Sequence, residues 1–477
     1  MSTIEKIAIN SGSLLTGRIV TKIISLFTVT FLFRYLGAEL YGKYAFAFAY
    51  ISFFTIISDL GLHNILVRET SQLQEKKNKI LGNAILMATI FSLLAFLMAL
   101  ISINVLNYPE STKTLIGIAA TTLLLGIVAP YGVIYEISFK MKYSVFFSLF
   151  SRLFLLVSIY FITLYDLGIF WMAAMTVFAD AIHHFLVVIY SKKIIKPVFK
   201  YDYKICKRLF IESLPLALSS LFVLIFFRID VVMLSMMKGD YSVGIYSSAF
   251  RLTEAVLFVP STFMVSIFPL LSQYFKKSEK TFYFTYLKSL KYLFNSAFIL
   301  AFVLTLNSYD IILYICGIDF IEGSYVFKIL SWATAILFLN YLFGNLLISV
   351  GKQKINTLAT FISATANIII NYTLIPQYDF TGAAFATVIT QLLNMVIMLY
   401  YIKEQIHIRM MYLEMKESFV SAIIMIIYAY IGSLMMPKIA LLITSIIIYF
   451  LALYHLNGID DYDKKICWKL INIIKKR

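Results

Sequence analysis

The sequence predicts an all-α polytopic membrane protein with about fourteen transmembrane helices. Apolar runs of about 20 residues, each long enough to cross a hydrocarbon core of roughly 30 Å, recur along the whole chain. No polar stretch between them is long enough to form a soluble domain. Of the 477 residues, 61% are hydrophobic and only 14% are charged, which excludes an ordinary soluble fold.

The predicted spans follow one another with short loops between them. From the N-terminus they lie near residues 9–36, 41–61, 80–106, 113–137, 143–164, 167–190, 209–237, 242–272, 284–307, 325–350, 355–376, 380–402, 417–436 and 438–456, and are numbered 1 to 14 in this order. Segment 309–318 is too short to span a membrane. The acidic group at 460–463 lies in a basic tail and is interpreted as a solvated turn.

The formal net charge of +16 is not gathered on one soluble face, which argues against nucleic acid as a partner. The basic residues instead fill alternate loops, as the positive-inside rule describes. The loop between spans 6 and 7 holds the largest such group: Lys192, Lys193, Lys196, Lys200, Lys204, Lys207 and Arg208. This alternation predicts a multi-pass protein of the cytoplasmic (inner or plasma) membrane with both termini in the cytoplasm.

An internal repeat divides the chain. Five residues of the first half recur 202 positions later: Gly37, Gly42, Tyr44, Ala47 and Phe48 match Gly239, Gly244, Tyr246, Ala249 and Phe250. Later matches have offsets of 212 and 213: Gly132, Lys140 and Lys142 with Gly344, Lys352 and Lys354, and Tyr165 and Asp166 with Tyr378 and Asp379. Spans 1–6 therefore correspond to spans 7–12. Because six is an even number, the two halves are parallel repeats.

The repeat predicts three regions. We expect an N-terminal lobe with spans 1–6 and a cytoplasmic linker (1–207) and a second lobe with spans 7–12 (208–403). Two additional spans and a basic cytoplasmic tail follow (404–477). Two bundles around a central cleft are typical of transporters that hold their substrate at the repeat interface.

Three stretches resemble a known family. The resemblance is carried by residues 34–69, by residues 215–269 with RIDVVML and VGIYSSAFRL, and by residues 367–390 (NIIINYTLIPQYDFTGAAFATVIT). The family is that of the polysaccharide-lipid flippases of the Wzx type. These belong to the multidrug/oligosaccharidyl-lipid/polysaccharide (MOP) exporter superfamily. The resemblance implies a MATE-like fold of two six-helix lobes with a V-shaped cavity.

The resemblance also implies an activity. The expected function is alternating-access transfer of an undecaprenyl- or dolichol-linked oligosaccharide from the cytoplasmic to the outer leaflet, driven by an ion gradient or the membrane potential. This step serves the assembly of cell-surface polysaccharide such as O-antigen, capsule or exopolysaccharide. The partners implied are that lipid-linked substrate, membrane lipids and other polysaccharide-assembly proteins, and one chain supplies both lobes.

Charged residues within the spans are candidates for a substrate cavity, because a charge at membrane depth should face protein or water. Arginine suits a (pyro)phosphate, since its planar fork donates in pairs. The resemblance extends to lipid II flippases, whose spans 1 and 8 line the cavity, and it assigns that role to Arg18, Lys22, Arg251 and Glu254. Arg228 and Arg152 are further candidates. The alternative for Arg251 and Glu254 is a structural ion pair within one helix.

The same resemblance suggests a site for a coupling ion, Na⁺ or H⁺, and no other cofactor. Related lipid II flippases hold sodium between spans 7, 11 and 12, and Asp230, Asn367, Asn371 and Thr387 match that spacing. Asn371 stands where the pattern has a carboxylate, which removes one negative charge. The alternative is a polar network between helices. His183 and His184 in span 6 allow a proton relay, although packing explains them equally simply.

Two rival functions remain open. A MATE-type multidrug or cation antiporter of the same fold would favour an acidic, aromatic cavity, whereas the candidates here are mostly cationic. A membrane enzyme would show a large outer loop or a catalytic motif, and the sequence has neither. Three widely separated cysteines predict neither a disulfide framework nor a zinc site. We therefore expect a transporter that is not an enzyme.

Overall fold

The computed structural model describes residues 3–404, 406–465 and 468, and among these the side chains of residue 17, residues 19–73 and all from 75 onward. The described residues contain α-helices and no β-strand. In the first half the helices are α1 (Thr3–Asp59), α2 (Leu62–Gln72), α3 (Lys77–Val105), α4 (Glu110–Leu124), α5 (Val133–Ile137), α6 (Met141–Leu164) and α7 (Ile169–Ser191). A 3₁₀ segment, Leu125–Gly132, connects α4 to α5.

The second half repeats this pattern of long helices and short loops. Its helices are α8 (Tyr203–Met237), α9 (Asp240–Val256), α10 (Phe258–Lys277), α11 (Glu279–Leu306), α12 (Ser308–Ile311), α13 (Gly323–Ser349), α14 (Gln353–Ile402), α15 (Ile408–Gly432) and α16 (Lys438–His455). The segment at 309–318 consists of short helical turns, as its length predicts.

Twelve helical stretches among the described residues are long and apolar enough to cross a membrane. Two of them contain an interior break: Ile19–Gln72 bends at Gly37, and Gln353–Ile402 bends at Asp379. Each of these two stretches therefore supplies two crossing segments. All fourteen predicted spans have a helical counterpart, and the prediction of an all-α polytopic membrane protein is confirmed.

The repeat is visible in the backbone as well as in the sequence. A backbone conformation with positive φ, which non-glycine residues rarely adopt, recurs at equivalent positions of the two halves. The pairs are Gly37 and Gly239, Phe139 and Gly351, and Asp166 and Asp379. Their offsets of 202, 212 and 213 are those of the sequence repeat. The same chain reversals thus end the same spans in both halves.

A reciprocal glycine contact explains why Gly42 and Gly244 recur. A Cβ atom on Gly42 would overlap the carbonyl oxygen of Asp240, and one on Gly244 would overlap the carbonyl oxygen of Ala38. Ala38 and Asp240 are themselves equivalent by the offset of 202. The two repeats therefore approach each other backbone to backbone through the same pair of positions, where no side chain fits.

The chain forms two compact units that do not coincide with the predicted lobes. The first unit comprises Met1–Arg251, Ile311–Val326 and Thr360–Ala386, and the second comprises Leu252–Asp310, Phe327–Ala359 and Thr387–Arg477. Aromatic and branched side chains fill each core. Buried Tyr135 anchors the first, where its hydroxyl donates to the Val187 carbonyl at 2.7 Å. Phe338 is among the fully buried side chains of the second.

The acidic group at 460–463 is not a solvated turn, and that interpretation is wrong. Asp460 accepts a hydrogen bond from Lys288 Nζ at 2.6 Å, and Asp463 accepts one from Lys291 Nζ at 3.0 Å. Glu414 also lies 2.6 Å from Lys288 Nζ. The sequence is misleading here because two lysines on α11 are buried and require carboxylates, which the segment after α16 supplies.

Candidate functional site

A buried carboxylate lies within the first compact unit. Asp230 on α8 is only 1% exposed. It accepts hydrogen bonds from the Tyr246 hydroxyl of α9 at 2.6 Å and from Asn371 Nδ2 of α14 at 2.5 Å. Asn371 Nδ2 also donates to Asn367 Oδ1 at 3.0 Å. The structure thus brings together three of the four residues that the sequence proposed for an ion site.

Tyr246 completes this site, and the sequence analysis did not assign it a role. Its hydroxyl offers the buried carboxylate a neutral donor, which offsets part of the cost of removing a charge from water. The signal was present in the repeat, because Tyr246 matches Tyr44 at the offset of 202. Only the tertiary structure shows that its partner is Asp230.

The oxygen atoms of this site fit a small hard cation or a proton. Asn371 Oδ1 is buried and has no hydrogen-bond partner among the described residues. Together with the Asp230 carboxylate and Asn367 Oδ1 it offers the oxygen ligands that hard cations prefer. A single carboxylate suits one positive charge, and the described residues contain no group of three His, Cys, Asp or Glu that could hold a metal ion.

Thr387 and Arg18 are two predicted site residues whose roles stay predictions. Thr387 is 7% exposed and lies on the part of α14 that follows the break at Asp379. The side chain of Arg18 lies outside the described residues, although its backbone belongs to α1.

Three predicted cavity cations lie within spans of the first unit. Lys22 is exposed on α1 and forms no ion pair with a described residue. The Arg228 guanidinium lies 5.6 Å from the centre of the Phe250 ring, in a cation–π contact. Arg251 is exposed near the C-terminal end of α9. Glu254, the fourth cavity candidate of this region, is half-buried three residues further along the same helix.

Arg152 occupies a different environment. Its guanidinium lies 3.2 Å from Asp180 Oδ1, so that α6 and α7 are connected by an ion pair whose side chains are 36% and 31% exposed. The neighbouring histidines do not form a chain toward it: His184 Nδ1 lies 2.8 Å from the Asp180 carbonyl oxygen, one turn back on its own helix. The His183 and His184 rings meet edge to face. This arrangement favours the packing interpretation of the histidines.

The fold and this site define a helical membrane protein built from two parallel six-span repeats with a buried carboxylate in the second. A family model described as "Polysaccharide biosynthesis protein" matches residues 7–275, more than half of the chain. The chain therefore belongs to the polysaccharide biosynthesis protein family. A second model, MatE, matches residues 215–373.

Individual relatives agree with this family. The chain is 24% identical to a protein of Haloferax volcanii named probable low-salt glycan biosynthesis flippase Agl15, over 49% of this chain and 50% of that protein. It is 29% identical to the capsular polysaccharide biosynthesis protein CapF of Staphylococcus aureus, over 41% of this chain and 50% of that protein. The chain thus spans about half the length of the curated relatives it matches.

A solved structure supports the fold over nearly the whole length. The lipid II flippase MurJ in its inward closed conformation superposes with a TM-score of 0.75, covering 94% of this chain and 98% of that one at 17% identity. Together with the MatE match, this likeness shows the MATE- and MOP-like fold that the sequence predicted.

Proposed function

We propose that this protein transfers a polyprenyl-(pyro)phosphate-linked oligosaccharide across the membrane for cell-surface polysaccharide assembly. The observation that carries this proposal is the family match over residues 7–275. Its relatives named as a glycan biosynthesis flippase and a capsular polysaccharide protein support the same substrate class. The protein acts as a transporter rather than an enzyme.

The charges within the spans fit an anionic head group. Moving a phosphate through hydrocarbon requires fixed donors in place of water, and arginine and lysine supply them. Lys22 is exposed at mid-span without an ion-pair partner among the described residues, a position that is costly unless it faces water or an anion. We assign Lys22, Arg251 and Arg18 to the substrate path, with Glu254 and Arg228 beside them, and Arg152 to a supporting ion pair.

The Asp230 site is the coupling site of this proposal. Asp230, Asn367 and Asn371 would hold Na⁺ or, at the carboxylate alone, a proton. Their oxygen atoms are the ligands that hard cations prefer. Asn371 Nδ2 donates to Asp230 in the structure.

We infer that the protein lies in the cytoplasmic membrane with both termini in the cytoplasm, because the basic loops alternate along the chain. The lobes 1–207 and 208–403 rock against each other, while residues 404–477 form an addition to the second lobe. One chain suffices for transport.

A cation antiporter of the MATE type is the second candidate. The observation that favours it is the MatE match over residues 215–373, which includes Asp230. A drug antiporter would exchange an organic cation at a carboxylate, whereas the lipid flippase needs cations along its path. The substrate therefore separates the two functions.

A flipping assay tests the proposal. Proteoliposomes would contain a polyprenyl-pyrophosphate oligosaccharide with a fluorescent label, and label exposure would be followed for wild type, Lys22→Gln and Arg251→Gln. We expect wild-type transfer and a large loss in both variants. Lys113→Gln, which removes a lysine of the first turn of α4 that pairs with Glu110 at 3.0 Å, is the matched control and should retain activity. Export of a cationic dye without lipid transfer would favour the antiporter.

A further inference from the structure

Residues 192–207, here called the basic segment, comprise the connection after α7 and the first turn of α8, and concentrate exposed positive charge. The six lysines of the segment are all exposed: Lys192, Lys193, Lys196, Lys200, Lys204 and Lys207. None of them forms an ion pair with a described residue. The only acidic residue of the segment, Asp202, is already engaged by Lys79 Nζ at 2.6 Å. The lysine charges are therefore not neutralised by the described part of the protein.

The part of the basic segment that precedes α8 is held firmly although it has no regular structure. Asn83 of α3 is fully buried, and its Nδ2 donates to the Lys200 carbonyl at 2.9 Å. Its Oδ1 accepts from the Asp202 amide at 2.8 Å. The Val198 amide donates to a carbonyl at the start of α3, and a Cβ atom on Gly82 would overlap the Val198 carbonyl. A loop that served only to connect two helices would not need such fixation.

Apolar side chains project from the same fixed backbone. Val198, Phe199, Tyr201 and Tyr203 are 47%, 57%, 65% and 62% exposed. Exposed aromatic residues beside lysines are typical of the boundary between membrane and water, where the rings lie among head groups. The segment lies directly between two stretches that are long and apolar enough to cross a membrane, Ile169–Ser191 and Tyr203–Met237. Its rings and lysines are therefore at the depth of the head groups.

We propose that the basic segment is a preformed binding surface for anionic phospholipid head groups of the leaflet on its side, predicted to be the cytoplasmic one. The un-neutralised lysines supply the charge complementarity, and the exposed rings anchor the surface among the head groups. Juxtamembrane lysines near anionic lipid are each worth about 1 kcal/mol of attraction, or about fivefold in affinity. This surface is independent of the transport function, because none of its residues belongs to the substrate path or to the Asp230 site.

The test measures lipid binding in nanodiscs of phosphatidylcholine with added spin-labelled phosphatidylglycerol. The test variant replaces Lys192, Lys193 and Lys196 with glutamine. The matched control makes the same change at Lys276, Lys277 and Lys280, three exposed lysines where α10 ends and α11 begins, with the same total charge. We expect the test variant to lose about tenfold to a hundredfold in phosphatidylglycerol affinity. The control should lose far less, and high salt should weaken wild-type binding.

Several outcomes would overturn the proposal. Equal losses of phosphatidylglycerol affinity in both variants would show that only net charge matters. Unchanged affinity in the test variant would show that the basic segment does not bind this lipid. A photo-crosslinker at Phe199 provides a second readout in cells: adducts with phosphatidylglycerol support the proposal, whereas adducts only with a protein assign the surface to a protein partner. Both measurements remain informative if the flipping assay shows no transport.

Discussion

Tyr44 and Tyr246 occupy the same position in the two repeats, but their hydroxyl groups have different partners. The Tyr44 hydroxyl lies 2.9 Å from Thr176 Oγ1, whereas the Tyr246 hydroxyl donates to Asp230 at 2.6 Å. The first-repeat equivalent of Asp230, at the offset of 202, is Thr28, whose hydroxyl bonds to a carbonyl of its own helix. The two repeats share a backbone, yet only the second has a buried carboxylate here. The ion coupling that we propose would therefore belong to one half of a nearly symmetric fold.

A lysine–aspartate ion pair occurs in each half, and the two pairs differ in burial. Lys79 lies on α3 and Lys291 lies on α11, the corresponding helix of the second half, although the two lysines are not at equivalent positions. Lys79 pairs with Asp202 at 2.6 Å, with side chains that are 36% and 26% exposed. Lys291 pairs with Asp463 at 3.0 Å, with side chains that are 6% and 10% exposed. Lys79 thus connects α3 to the loop after span 6, and Lys291 connects α11 to the segment after span 14.

The largest expected effect comes from these two ion pairs. Asp463→Asn removes the carboxylate nearest to buried Lys291, and breaking a buried pair costs about 3–5 kcal/mol. Asp202→Asn breaks the more exposed pair, whose loss should be much smaller. The measurement is the apparent unfolding midpoint of each purified variant in the same detergent. Equal shifts would show that burial does not distinguish the two halves.

The two tyrosines provide the next test. Tyr246→Phe removes a hydrogen bond to a charged group, worth about 1.5–3 kcal/mol, and should change the ion dependence of transport about tenfold to a hundredfold. Asp230→Asn should abolish that dependence. Tyr44→Phe is the matched control, because its partner is a neutral hydroxyl, and its ion dependence should stay that of wild type. An effect of Tyr44→Phe as large as that of Tyr246→Phe would contradict the assignment of coupling to the second half.

The reciprocal glycines test the symmetry itself. Gly42→Ala and Gly244→Ala should each cost about 1–3 kcal/mol, because the added methyl group overlaps a carbonyl oxygen of the other repeat. The two losses should be similar, since the contact is mutual. Gly117→Ala on α4 meets no atom within 4 Å and should leave the unfolding midpoint unchanged or slightly higher. A loss in only one of the first two variants would mean that the contact is not symmetric.

The smallest expected effect is a dependence on acid pH. Hydrogen bonds from the Lys79 ammonium and the Ile205 amide lower the pKa of Asp202. Burial alone would raise the pKa of Asp460, but hydrogen bonds from Lys288 and from the Asp463 amide outweigh it and lower this pKa to about 2. A lowered pKa stabilises the fold above the ordinary aspartate pKa of about 3.9, and this contribution disappears as the pH falls through the folded pKa.

We therefore expect the apparent unfolding midpoint to decrease as the pH is lowered from about 4 to about 2. Between about pH 5 and pH 8 these groups should add no pH dependence. Asp460→Asn should flatten the acid limb of this profile. An unchanged acid limb in that variant would assign the effect to other carboxylates.

Much of the fold could be predicted from the sequence, because hydropathy and backbone geometry leave few choices in a membrane. Apolar runs of spanning length must become helices, since each backbone polar group has to be satisfied within its own segment. The recurrence of Gly37 as Gly239 predicted the repeat, and both glycines adopt positive φ in the structure. Even the approach of Asp230 to Asn371 followed from family spacing.

Other features could not be predicted, because they depend on which side chains meet across helices. Asp463 has the sequence context of a solvated turn, and only the buried lysines of α11 show its role. Nothing in the sequence around Asn83 indicates that its side chain forms hydrogen bonds with the basic segment.

The sequence by itself determined the number of spans, the two parallel repeats and the residue types available within the membrane, because these depend on local hydropathy and on positions that accept only glycine. The tertiary structure alone decided which of two equivalent tyrosines donates to a carboxylate and which of the two lysine–aspartate pairs is buried. The physical reason is that hydrogen bonds and burial arise from the packing of several helices, and residues far apart in sequence contribute to each contact.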